Sequence, residues 1–427
     1  MIKRILVLIV VLFSIQSFSQ QTSSSPYSGL GIGDDSPQKT VEEMSMGGVG
    51  VSSNNRFNLN FNNPASFAAL NFTTYTLAGE NRAYSFEDDN GKDKSSNAYL
   101  SYIAVGIPMG PKGGFAFGFQ PKTTTGYNIS NTVYNDDNDP LQASLYEGKG
   151  GANSVFLGAG YEVFKGLSIG LEGEYIFGSV ENSILNQIKD VQLATKYRSI
   201  SDIEGFEFEL GAIYHKKLEK NLYFNVGAKL ELESNLDSKG NEYLYSVNVT
   251  SVEIPRDTIW SDTSRGVFTT PLKTSVGFNV GKTNKWSAGI DYSFRNAINA
   301  TGNLESYNPQ VAYQEANNLA VGGFYIPRYN SISSYWHRVI YRWGFNLEKT
   351  GLMVDAIGDG ANYEPVDKVG MSFGVGIPVG GELSRLNLGF ELGQRGSTNN
   401  GLVKENYFNF RLGLTLQNKW FKPKQIY

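Results

Sequence analysis

From residue 71 onward the chain alternates apolar and polar side chains in block after block. In 403–417, Phe408, Phe410, Leu412, Leu414 and Leu416 share one face, and Asn409, Arg411, Gly413 and Thr415 share the other. In 384–395, Leu386, Leu388, Phe390 and Leu392 oppose Arg385, Asn387, Gly389, Glu391 and Gly393. In 336–349, Val339, Tyr341, Trp343, Phe345 and Leu347 oppose Arg338, Arg342, Gly344, Asn346 and Glu348. Val226, Ala228, Leu230 and Leu232 oppose Lys229, Glu231 and Glu233, and Ile290, Tyr292 and Phe294 oppose Asp291 and Arg295. A period of two is a strand period. About fourteen strands are predicted, at 71–88, 96–110, 113–126, 151–164, 167–180, 204–217, 221–236, 268–282, 285–296, 316–326, 336–349, 367–379, 384–395 and 403–417. Each is near the ~9–11 residues that cross an outer membrane, or longer.

The connections alternate in length. One set is mostly short: 109–113, 165–166, 218–220 and 283–284, with 327–335 and 380–383 somewhat longer. The other is mostly long and polar: 89–95, 127–150, 181–203, 236–268, 297–314 and 350–366. Short turns at one end and long loops at the other is the pattern of bacterial outer-membrane barrels. The short turns are then periplasmic, and an even strand number leaves both chain ends on that side. The expected fold is all-β, a 14-stranded antiparallel transmembrane β-barrel.

Ahead of the strands the pattern changes. Residues 1–19 read as a signal peptide: Lys3 and Arg4, an apolar run at 5–13 too short to span a bilayer, then Ser17-Phe18-Ser19 as a small-x-small cleavage site. Residues 20–43 are expected as a periplasmic N-terminal arm. Residues 44–70 are too rich in Gly and Asn for a helix and too irregular for a strand, yet apolar. Their backbone groups need partners, so the segment is expected inside the barrel as a lumenal hatch. The barrel is taken as 71–421, with Trp420-Phe421 in an aromatic girdle, and 422–427 as a periplasmic tail.

Composition narrows the options. Gly numbers 48 of 427, against a usual ~7%. No cysteine is present, which excludes a disulfide framework, a thiolate nucleophile or a lipobox cysteine. The net charge of −4 gives no case for nucleic acid. The only histidines are His215 and His337, and no Gly-x-Ser-x-Gly elbow occurs, so neither a His-built metal centre nor an enzyme is expected. Alternation alone does not say which face meets lipid. The leader, the aromatic load and the loop asymmetry favour apolar-out and polar-in.

Gly47-Gly48-Val49, then Asn63-Pro64-Ala65 and a strand, resembles the start of the long-chain fatty-acid transporter family, the FadL/TodX-type channels. That resemblance implies a 14-stranded outer-membrane barrel whose lumenal hatch carries Asn63-Pro64-Ala65. A second resemblance is to a FadL-like Bacteroidota family of unknown substrate. It rests on Ser25-Pro26-Tyr27-Ser28, Gly31-Ile32-Gly33-Asp34, Tyr335-Trp336 with Tyr341-Arg342, Gln394-Arg395-Gly396, Glu405-Asn406-Tyr407-Phe408, and Leu414-Thr415-Leu416 with Trp420-Phe421. Related barrels in that phylum also serve as non-transporting parts of secretion or barrel-assembly machines.

Candidate chemistry follows. The hatch either shifts when an apolar ligand binds or stays as a fixed seal. Pro121 interrupts the third strand, because proline cannot donate to a ladder. In FadL-like channels a kink there opens a lateral gap; the blander reading, which is favoured, puts Pro121 at the loop end above the membrane. Arg338, Arg342, Arg385, Glu391, Arg395 and Arg411 are expected in a lumenal charge network with Glu172, Glu174, Lys229, Glu231, Glu233, Asp291, Arg295 and Glu348. Mixed signs favour an ion-pair filling over a selectivity surface. Asp136, Asp137 and Asp139 lack the glycine turn of a calcium loop and read as solvated. No cofactor and no metal is expected.

The leading functional expectation is passive uptake of small hydrophobic, fatty-acid-like compounds across the Gram-negative outer membrane. The alternative is a structural or accessory barrel subunit of an envelope secretion or barrel-assembly complex. Expected partners are outer-membrane lipid, then an apolar small molecule or envelope-complex proteins.

Overall fold

The computed structural model describes residues 23–88, 91–249, 253–302, 304, 311–379 and 384–418. The leader at 1–19, Trp420-Phe421 and the tail at 422–427 lie outside the described residues. Fourteen strands close a barrel: β1 (Thr73–Asp88), β2 (Gly91–Met109), β3 (Gly113–Pro121), β4 (Pro140–Phe164), β5 (Leu167–Ile188), β6 (Ala194–Lys217), β7 (Leu222–Glu231), β8 (Lys273–Lys282), β9 (Trp286–Arg295), β10 (Ala316–Tyr325), β11 (Ile340–Lys349), β12 (Lys368–Pro378), β13 (Arg385–Arg395) and β14 (Lys404–Asn418). Every neighbouring pair is antiparallel, and β1 closes on β14 from Thr73↔Asn418 to Glu87↔Lys404. A ten-residue strand at ~3.3 Å per residue, tilted by ~45°, matches the apolar band of an outer membrane about 25 Å tall.

The alternation resolves as apolar-out. Phe408 is 41% exposed and Phe373 49%, whereas Arg411 is 3% exposed and Glu391 3%. Greasy side chains face the bilayer, and the polar face looks into the lumen. The fold is that of an outer-membrane β-barrel.

The long connections depart from expectation. Segments read as polar loops continue the ladders instead. Thr123–Tyr134 pairs with the upper half of β4, β5 and β6 pair out to Asn186↔Thr195, and Ser234–Val249 forms a hairpin with Glu253–Thr270 that pairs with β6. Ile, Val, Thr and Tyr in these stretches favour strands. Their alternation is blurred because neither face of this part meets lipid.

The N-terminal segment also departs from expectation. Over its described part, 23–43, the presumed periplasmic arm lies inside the barrel toward the long-loop end. Ile32 packs with Ala152, Ile176, Ile203, Leu236 and Phe268, and Tyr27 packs with Leu352, Val366 and Leu402. Burial of Ile32 and Tyr27 in these apolar clusters is what draws the segment inward. Residues 44–72 then descend toward the short-turn end and enter β1. Here Val41, Leu59, Phe61, Phe67 and Leu70 form a core with Ala78, Tyr102, Ala104, Ala116 and Phe156 of the wall.

Candidate functional site

The lumen and the segment inserted in it form the candidate site. Two short elements give that segment its shape. Thr40 caps the helix Val41–Met44, accepting from the Glu43 N–H, while the Glu43 side chain accepts from the Thr40 N–H, a complete capping box. Asn63 caps the 3-10 helix Pro64–Ala69: its Oδ1 accepts from the Ala65 N–H at 3.0 Å, and Pro64 sits where no N–H is needed.

Wall side chains hold the backbone of the segment. Asp291 accepts from the N–H groups of Gly50 and Val51 at 2.7 and 2.8 Å. The Asn63 amide donates to Val51 O at 2.7 Å and to Ala228 O and Ala212 O of the wall at 3.1 and 3.3 Å. Glu42 accepts from Asn387 at 2.9 Å and Thr415 at 3.1 Å, and Gln38 donates to Glu174 at 2.8 Å. Inward-facing glycines permit this proximity. A Cβ at Gly170 would overlap Pro64 and Ala65, and one at Gly211 would overlap Asn63. Much of the glycine excess serves such contacts.

The expected charge residues do not form one network. Glu391 and Arg411 do meet, at 2.7 Å, and Arg411 also binds Glu80 at 2.9 Å, with Arg82 on the far side of Glu80 at 2.9 Å. Arg395 stands apart, paired with Asp34 of the inserted segment at 2.8 Å. Arg342 donates to Asn387, and Arg385 lies over the Phe57 ring at 6.0 Å. Arg338 does not belong: it sits in the 3-10 helix Trp336–Arg338 of a short-turn connection and stacks on Tyr335. Glu233 is exposed beyond the end of β7. Glu80, Arg82, Asp34, Glu42 and Glu405 were missed. Glu80 and Arg82 share the parity of Ala78 and Tyr84, which would have found them; the other three needed the tertiary fold.

At Pro121 the wall changes partners. Pairing of β2 with β3 runs from Met109↔Gly113 to Ile103↔Phe119 and stops there, while β2 continues along β1. Pairing of β3 with β4 reaches Pro121↔Asn153, and Thr123–Tyr134 resumes at Thr125↔Gly150, so the kinked side holds one extra residue. Beyond Phe119 the kinked strand and β2 therefore part. The inserted segment occupies the edge this leaves. Asp34 and Asp35 pair with Thr124 and Thr123, the Ser36 N–H donates to Lys122 O at 2.9 Å, and Ser28 Oγ donates to Gly126 O at 3.1 Å. On the β2 side, Ser95 Oγ donates to Ser24 Oγ at 2.9 Å.

A cavity of about 350 Å³ remains in the lumen. Lys39, Lys273, Asp291, Arg295, Glu348 and Arg395 line it together with apolar side chains such as Ile32, Leu236, Phe268 and Phe294, so its wall is mixed. In the inserted segment, outside the spanning strands, burial raises the Glu43 carboxyl to about 7, against the lowering effect of its bonds to Thr40. Burial, then the nearby Lys273 ammonium, lowers Lys39. His215 bonds Asn225 at 2.7 Å near a short turn, and His337 lies in the 3-10 helix of another.

Solved structures share this architecture. A FadL homologue of Pseudomonas aeruginosa superposes with a TM-score of 0.61 at 12% identity, over 90% of this chain and 99% of that one. The Pseudomonas putida toluene transporter TodX gives 0.59 at 14%, over 91% and 99%. The Ralstonia pickettii toluene transporter TbuX gives 0.55 at 13%, over 89% and 98%. At such identities the likeness establishes a FadL-like fold. No curated protein matches the sequence. A family model described as BamG matches residues 1–427, the whole chain, and the protein therefore belongs to the BamG family.

Proposed function

We propose that this protein is an accessory subunit of an envelope secretion or barrel-assembly complex, a sealed barrel that works by contact with partners rather than by conducting solutes. One observation carries the reading: the chain's own residues 23–36 cover the edge left where the strand kinks at Pro121. Membership of the BamG family is consistent with it. The N-terminal segment is too buried to be the partner surface. That role falls to the extensions of β4–β6 past the membrane band and to the hairpin of Ser234–Val249 with Glu253–Thr270, which exposes Ile254, Ile259 and Trp260.

The alternative, uptake of a small hydrophobic compound, is favoured by one specific feature, the parting of β2 from the kinked strand at Pro121. On this reading Asn63-Pro64-Ala65 anchors a hatch that shifts, and residues 23–36 must leave the split. The two readings separate in one experiment. The protein is purified gently from native membranes, and uptake of labelled fatty acid and toluene is compared in cells with and without it. A stoichiometric partner with unchanged uptake supports the accessory role. Uptake that depends on the protein, with no partner retained, refutes it.

A further inference from the structure

We propose that a calcium ion binds in the barrel wall at Glu172, Glu174 and Glu209. The feature arises from the register of β5 and β6. Glu172 lies directly opposite Glu209, and Glu174 opposite Glu207, so four inward carboxylates form a block on two adjacent strands. Like charges directly across a strand pair are destabilising. Oxygens of Glu172, Glu174 and Glu209 come within 4.8 Å of one another, and all three residues are buried.

The lysines nearby do not neutralise the block. Lys229 holds both oxygens of Glu209 at 3.0 and 3.1 Å and also reaches Glu231 at 2.8 Å. Lys122 pairs with Glu207 and stands 3.9 Å from Glu174, while Lys273 binds Glu231 at 3.1 Å. Five carboxylates (172, 174, 207, 209, 231) thus meet three ammonium groups (122, 229, 273), leaving a deficit of two positive charges. The deficit falls at Glu172. It is 3% exposed, its carboxylate lies against those of Glu174 and Glu209, and among the described residues that carboxylate makes no hydrogen bond or ion pair. Glu174 uses Oε2 for Ser154 and Gln38, which leaves Oε1 for a metal.

Dehydration selects the ion. Magnesium gives up its waters reluctantly and is usually held through one or two carboxylates, whereas calcium is taken by a set of protein oxygens in flexible geometry. Three buried carboxylates whose oxygens lie within 4.8 Å of one another therefore suit calcium. Glu209 faces the lumenal cavity, which provides an entry path. Because Gln38 of the inserted segment bonds Glu174, a bound ion also stiffens the seat of that segment.

The test uses the purified full-length barrel in detergent, stripped with chelator and titrated with calcium chloride by calorimetry, with metal content read by elemental analysis. One calcium per barrel is expected, with magnesium at least tenfold weaker. Glu172→Gln is expected to weaken calcium binding at least tenfold. It should also raise the thermal stability of the metal-free barrel, because it removes a charge without a partner; a carboxylate with a merely structural role would lower it. A D136N/D137N/D139N variant in the exposed loop should bind calcium as the wild type does. A stripped, folded wild-type barrel that takes up no calcium overturns the proposal, whether or not any variant folds. So does E172Q binding calcium as tightly as the wild type.

Discussion

Asn63 is the clearest place to test how the inserted segment is held. It is fully buried, its two amide hydrogens are shared among the carbonyls of Val51, Ala228 and Ala212, and its Oδ1 caps Ala65. Asn63→Ala removes about three effective hydrogen bonds. At roughly 0.5–1.5 kcal/mol each, the cost is about 3 kcal/mol. Two of these bonds join the segment to the wall and two hold the segment's own fold, while the interstrand ladders stay intact. The cost therefore falls on seating of the segment and not on the barrel. Three kcal/mol corresponds to about a 100-fold rise in the population of the displaced segment. The cysteine-free chain allows a clean assay. Ser66→Cys, at a position 3% exposed, is introduced with and without Asn63→Ala, and maleimide labelling is timed on the folded barrel in lipid. Labelling about 100-fold faster in the double variant is expected. An acceleration below threefold, with heat-modifiable migration retained, would refute the anchoring role of Asn63.

Other outcomes follow from the same contacts. Arg411→Ala leaves Glu80 and Glu391 buried, with the loss of ion pairs at 2.9 and 2.7 Å; it should cost about 3–5 kcal/mol in urea unfolding of the lipid-embedded barrel. Replacing residues 23–35 with a Gly-Ser linker should expose the split, measured as faster quenching of a tryptophan placed at Phe119 by a brominated lipid. For Glu43, burial raises the folded carboxyl to about 7 against an ordinary value of 4.5. The folded state then binds more protons between those values, so seating of the segment should weaken as pH rises from about 4.5 through 7. Glu43→Gln should flatten that dependence in the same labelling assay.

Period-two alternation and loop asymmetry determined the strands and their number, because a membrane-crossing strand must show one face to lipid and hide the other. All fourteen predicted spans overlap a barrel strand, from Thr73–Asp88 to Lys404–Asn418. Where lipid no longer selects a face, in 127–150, 181–203 and 236–268, the alternation blurred and strands read as loops. Asn63-Pro64-Ala65 was visible in the sequence because a cap and a proline start are local signals. Its partners were not, since Ala212 and Ala228 lie far along the chain and lend only backbone carbonyls. The closure of the Pro121 split was equally hidden. It depends on Asp34 meeting Thr124, Ser28 meeting Gly126 and Arg395 meeting Asp34. The pairing of Glu172 with Glu209 depends on the register of two strands. Such contacts join positions tens to hundreds of residues apart, so only closure of the barrel around its own N-terminus decides them.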